Sequence, residues 1–130
     1  MGACSKDDTT TTTNNVTSLT ATVNGAQQVP ANSSTATGTF AGTYDSSNKQ
    51  LAYTVTFQGL TPTSAHIHTG APGTTGAVAI PFTTLTSPIT GTVTLTADLA
   101  TQLLNNGMYV DIHTAGTYSN GEIRGDIKKK

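Results

Sequence analysis

The residues of this 130-residue chain best suited to chemistry are its three histidines, all in two short segments: His66-Ile67-His68 and, further on, His113. On an extended strand, residues two apart face the same side. His66 and His68 therefore present two imidazoles together while Ile67 points into the core. A third imidazole from a neighbouring strand completes a three-nitrogen site for a single borderline or soft metal ion, copper first and zinc second. The alternative for the same residues is three surface or hydrogen-bonded imidazoles that hold no ion.

The segment around His113 extends the pattern. If Val110 and Ile112 face the core, Tyr109, Asp111 and His113 face outward. If Ile123 and Ile127 face the core, Glu122, Arg124 and Asp126 face outward with them. One hairpin register sets Asp111 opposite Arg124, and a two-residue slip sets Arg124 opposite His113; the sequence leaves both open. Either way the few charges of the chain are expected beside His113 on one solvent-facing side. There, Asp111–Arg124 would be an exposed cross-strand pair contributing less than about 1 kcal/mol. The working alternative is a carboxylate of Asp111 or Glu122 orienting an imidazole, or Arg124 attracting an anion.

The elements that must position these groups read as strands. There are 29 threonines and no tryptophan, and only 35% of residues are hydrophobic. β-Branched threonine favours extended backbone. Leu19, Ala21 and Val23 alternate with polar residues, Thr35 to Tyr44 alternate again, and Asp45-Ser46-Ser47-Asn48 forms a hairpin turn. Leu51, Tyr53, Val55 and Phe57 share one face of the returning strand. Further strands are expected at 65–69, 78–82, 89–95, 108–114 and 122–128. Thr96 is placed to cap a helix over 97–104, with Asp98 in its first turn and Asn105-Asn106-Gly107 ending it. Many short strands with one short helix predict an all-β fold, an antiparallel Greek-key β-sandwich or barrel of superoxide-dismutase-like or immunoglobulin-like form.

The chain divides into a tether, 1–15, and one folded domain, 16–130. Gly2-Ala3-Cys4-Ser5 resembles the end of a bacterial lipoprotein signal, in which small residues precede the cysteine that is lipidated. Ser5-Lys6-Asp7-Asp8 resembles the acidic stretch after that cysteine in surface-exported lipoproteins. The apolar leader is expected to have been removed, leaving Cys4 as the lipidation site. The Thr/Asn run of residues 9–15 has nothing apolar to pack and suits a flexible spacer. The location expected is the cell envelope, an exported lipoprotein of the outer membrane or cell surface, touching the membrane through its lipid anchor only.

Other classes find little in the sequence to carry them. A net charge of −1 leaves no basic face for nucleic acid. Gly70 to Gly76 precede a strand, not a helix, so they do not form a phosphate loop. Glu122 is the sole glutamate, and no carboxylate pair for glycoside hydrolysis can be identified. No serine or cysteine nucleophile has a recognisable triad.

Several motifs together carry a family resemblance: Asn24-Gly25-Ala26-Gln27-Gln28-Val29-Pro30, Ala36-Thr37-Gly38, the 51–60 strand, Ala65 to Gly73, Tyr109 to Thr114, and Gly121 to Gly125. In this order they resemble the CHRD domain, the module named from chordin and widespread in bacterial secreted proteins, over roughly residues 18–127. A narrower likeness is to copper/zinc superoxide dismutases, which carry a His-x-His strand, a late copper-binding histidine and a guiding arginine. It implies that His66, His68 and His113 bind copper and that Arg124 guides an anion. The departures are no fourth histidine to bridge two metals, no separate zinc cluster, and a lone cysteine that cannot form that family's disulfide. The expected function is therefore that of a monomeric cell-envelope protein that binds copper or carries out a simple redox reaction on it, with superoxide dismutase-like activity left open. The alternative is a metal-free adhesion or interaction module that binds an extracellular protein.

Overall fold

The computed structural model describes residues 15–130; Cys4 and the 1–14 part of the expected tether lie outside the described residues. Strand β1 (Val16–Asn24) is followed by β2 (Thr37–Asp45), β3 (Gln50–Gln58), β4 (Ser64–Thr69), β5 (Val78–Pro81) and β6 (Ile89–Thr94). Helix α1 (Ala97–Leu104) precedes β7 (Met108–His113), β8 (Ile123–Asp126) and the two-residue β9 (Lys128–Lys129). These elements follow from the chemistry read above. Asp45 Oδ1 accepts the backbone N–H of Ser47 at 2.9 Å and turns β2 into β3. Thr96 Oγ1 accepts the N–H of Leu99 at 3.2 Å and opens α1.

All strand pairs are antiparallel, and the sheet runs β5-β4-β7-β8-β1-β2-β3-β6, with β9 beside β1. The sheet curls into a half-barrel, so the expected all-β fold takes its barrel form. Chain neighbours β1-β2-β3 form a meander, whereas β3-to-β4 and β6-to-β7 cross between its ends. Such crossings let segments far apart in sequence share one face.

The concave side holds a single apolar core. Leu19, Val23, Phe40, Leu51, Val55, Ile67, Val110, Ile112, Ile123 and Ile127 are all buried there, and α1 adds Ala100 and Leu103. The alternation of each strand selects these residues. Ile67 and Ile112 are fully enclosed, directly behind the histidines.

One expectation is overturned on the convex side. Asp111, Glu122 and Arg124 do face away from the core, but they are 6%, 8% and 1% exposed and do not form a solvent face. Two irregular segments, the one after β1 and the one between β4 and β5, lie over β7 and β8 and shield them from water.

Candidate metal centre

Strands β4 and β7 pair with His66 opposite Asp111, His68 opposite Tyr109 and Ser64 opposite His113. The spacing of two in β4 and this register bring the three imidazoles together. The ring centroids of His66 and His68 are 5.4 Å apart, those of His66 and His113 5.4 Å, and those of His68 and His113 6.2 Å. One ligand nitrogen from each ring can be chosen so that all three lie within 4.8 Å of one another. The predicted triad is thus assembled on one face. Three nitrogens each about 2.0 Å from one ion stand about 3.3 Å apart at tetrahedral angles, so ring rotation inward is what loading requires.

The hydrogen bonds fix which nitrogens face the centre. His68 Nδ1–H donates to the Gly76 carbonyl at 3.0 Å, and His113 Nδ1–H donates to the Ser119 carbonyl at 3.1 Å. A carbonyl oxygen only accepts, so Nδ1 carries the hydrogen in both rings, and in the neutral ring Nε2 keeps a lone pair. Those two Nε2 atoms and His66 Nδ1 are buried and lack a hydrogen-bond partner; they are the only such side-chain atoms among the described residues. Buried polar atoms without partners are costly and uncommon. Three on neighbouring imidazoles is an arrangement that a cation would satisfy. Burial, followed by the neighbouring His113 and His68, lowers the pKa of His66 and favours its neutral, ligating form.

Glycine makes one of these contacts possible. Gly76 passes so close to the Thr69 carbonyl that a Cβ there would collide with it, and this approach brings the Gly76 carbonyl to His68. The His68 ring is also stacked on Tyr109, at 4.9 Å and 7°. Arg124 covers the same tyrosine, its guanidinium carbon 3.6 Å from the ring centroid. Arg124 donates from Nε to Asp126 Oδ1 at 3.0 Å, from Nη1 to the Thr74 carbonyl at 2.6 Å and from Nη2 to the Ala71 carbonyl at 3.2 Å. It fastens the 70–76 loop over the site.

The last hairpin takes the first of the two registers, with Asp111 opposite Arg124. Their side chains do not form the expected ion pair, because Arg124 pairs with Asp126. Asp111 instead accepts from Gln28 Nε2 at 2.7 Å through Oδ1, and its Oδ2 lies 3.6 Å from His113 Nε2. Burial raises the pKa of its carboxyl, against the pull of Gln28, the imidazoles and Arg124. Glu122 is fully engaged: Thr114 donates to Oε1 at 2.7 Å and Ser34 to Oε2 at 2.5 Å. It braces the segment after β1 against β8.

Gln28, Asn32 (whose Nδ2 donates to the Glu122 carbonyl at 3.0 Å), Ser34 and the Tyr109 stack were not legible as site components. The 24–30 motif is the sequence signal for the first of these. Asn24 caps a 3-10 turn over Gly25–Gln27, which delivers Gln28 to Asp111.

Comparison with known proteins adds the family. No curated protein matches the chain, and no solved structure matches it. The family model of the CHRD domain matches residues 19–127, from β1 to the residue after β8. This span contains every residue of the histidine centre and of the segments that cover it, and the chain belongs to the CHRD domain family.

Proposed function

We propose that this CHRD domain binds one copper ion through His66 Nδ1, His68 Nε2 and His113 Nε2. The observation that carries this reading is the set of three buried ring nitrogens without partners, on three imidazoles that can each offer one nitrogen within 4.8 Å of the others. Two are locked as lone-pair donors by carbonyls bonded to the opposite ring nitrogen, a device typical of metal-ligating imidazoles. Imidazole suits copper and zinc, and copper(II) binds such donors more tightly than zinc does. The lipoprotein reading of Cys4 places this site in the cell envelope, tethered by residues 5–15. The role is then copper binding or handling at the cell surface.

The test is a metal titration of the purified domain. One Cu(II) per chain is expected, lost when His66 or His68 is replaced by alanine. Sub-stoichiometric uptake that ignores the histidines would refute the reading and favour a metal-free interaction module. Tighter retention of zinc than of copper would keep the site and change the ion. In the full-length precursor, Cys4→Ser should release the protein from the membrane fraction; unchanged fractionation removes the anchor.

A further inference from the structure

We infer that Asp111 supplies a fourth donor to the histidine centre through Oδ2, and that Gln28 positions it; this rests on the metal reading above. Three acidic residues share this face, and their partners separate them. Glu122 has both carboxylate oxygens occupied by Thr114 and Ser34. Asp126 is held by the Arg124 guanidinium. Asp111 has only Oδ1 hydrogen-bonded, to the neutral amide of Gln28, while Oδ2 faces His113 Nε2 at 3.6 Å. That nitrogen is one of the three that are buried without a partner. Two donors each about 2.0–2.2 Å from one ion stand about 3.3 Å apart at a tetrahedral angle, so the separation is a few tenths of an ångström from a ligating pair.

The fold presses the carboxylate into this orientation. Cross-strand pairing sets Asp111 directly opposite His66, and Asp111 and His113 lie two apart on β7. Behind it Gly121 has a φ of 125°, and a Cβ there would lie 2.7 Å from both Asp111 Oδ1 and Gln28 Nε2. A side chain at 121 would push the two apart. Arg124, opposite Asp111 in the next strand, is spent on Asp126, Ala71 and Thr74. A buried carboxylate needs a cation, and Oδ2 lies on the side of His113 Nε2. Three neutral imidazoles with one carboxylate leave a divalent ion with a single net positive charge. The hard anionic oxygen favours Cu(II) over Cu(I).

The experiment compares wild type, Asp111→Asn and Gln28→Leu for Cu(II) and Cu(I) affinity, by chelator competition, and for the Cu(II)/Cu(I) potential. Asp111→Asn is expected to weaken Cu(II) by about tenfold or more with much less change for Cu(I). A tenfold difference corresponds to a potential about 59 mV more positive. Gln28→Leu, which leaves every ligand in place, should shift the potential in the same direction by less. Equal losses for both oxidation states, or none, would overturn the fourth donor while leaving the histidine site standing. A wild-type chain that takes up no copper would overturn both. Should Asp111→Asn fail to fold, Cu(II) spin resonance of the wild-type protein decides. A carboxylate oxygen in the donor set supports the inference, and an exchangeable water in its place refutes it.

Discussion

The convex face of the sheet has two halves built on the same alternation but placed in different media. Across β1, β2, β3 and β6 it is open: Thr20, Ala41, Thr54 and Thr90 lie side by side, as do Thr22, Thr39 and Thr56, nearly all exposed. Across β7 and β8 it is closed, with every residue from Met108 to Ile112 and from Ile123 to Gly125 buried. Alternation says which side of the sheet a residue occupies, not whether water is there. The open half spends threonine, which needs nothing beyond solvent. The closed half concentrates Asp111, Glu122 and Arg124, each of which must find a partner in the protein.

The largest effect that would break this contrast comes from Arg124. Arg124→Ala should cost about 3 kcal/mol, measured by denaturant unfolding. It strips the cation from Asp126 and the donors from two loop carbonyls. Asp126 keeps 12% side-chain exposure, which argues for the low end of the range for broken buried pairs. A cost below about 0.5 kcal/mol, the norm for surface substitutions, would mean that the closed half is closed in name only.

His113→Ala should come next, with about a hundredfold loss of Cu(II) affinity and a nearly unchanged melting temperature. His113 lies at the end of β7, and its backbone carbonyl, which receives the Thr63 N–H, survives the substitution. Ile67→Ala is the reverse case. It truncates a fully enclosed side chain and should cost about 2–5 kcal/mol of fold stability. If His113→Ala unfolds the protein, the imidazole is structural.

This division was partly legible in the sequence. Parity alone brought His66, His68 and His113 to one face and put Ile67 and Ile112 behind them, because a period of two is rigid wherever one face is buried. The helix was legible from Thr96 and Asn105-Asn106-Gly107, whose capping chemistry is local. The cover over β7 and β8 was not. Gln28 meets Asp111 across 83 positions, and Arg124 meets Thr74 across 50, through segments with no periodicity. Contacts made by irregular backbone leave no recurring pattern to read.

The pH dependence of the metal-free protein should be smaller and should have a definite sign. The folded-state pKa of His66 is lowered, chiefly by burial. Between its ordinary value near 6.5 and the lowered one, the unfolded chain binds a proton that the folded chain does not. Stability is therefore full above about pH 6.5 and falls as the pH drops through that window. Melting scans at pH 7.5 and 5.5 check this, and His66→Ala should reduce the difference. A metal-free wild type that melts higher at the lower pH would mean that Asp111, whose burial-raised carboxyl contributes with the opposite sign, outweighs His66. Added Cu(II) should raise melting at pH 7.5 and do so less at 5.5, because protons compete for the same nitrogens.

The smallest effect comes from making one substitution in both halves. Thr114 is 7% exposed, and its hydroxyl is bonded to a carboxylate oxygen of Glu122. Thr114→Ala leaves that buried oxygen without its donor and should cost about 1–3 kcal/mol. Thr54 sits mid-strand in the open half, opposite Ala41 and Thr90, with its side chain in water. Thr54→Ala surrenders only strand preference, and the cost should stay within about 0.5 kcal/mol. The two variants remove the same atoms from the same residue type, so the difference between them isolates the medium from the chemistry. Urea unfolding of both, read at equal slope, gives that difference directly. Equal costs would mean that the cover over β7 and β8 does not exclude water, and the case for a buried, cation-seeking centre beneath it would weaken with it.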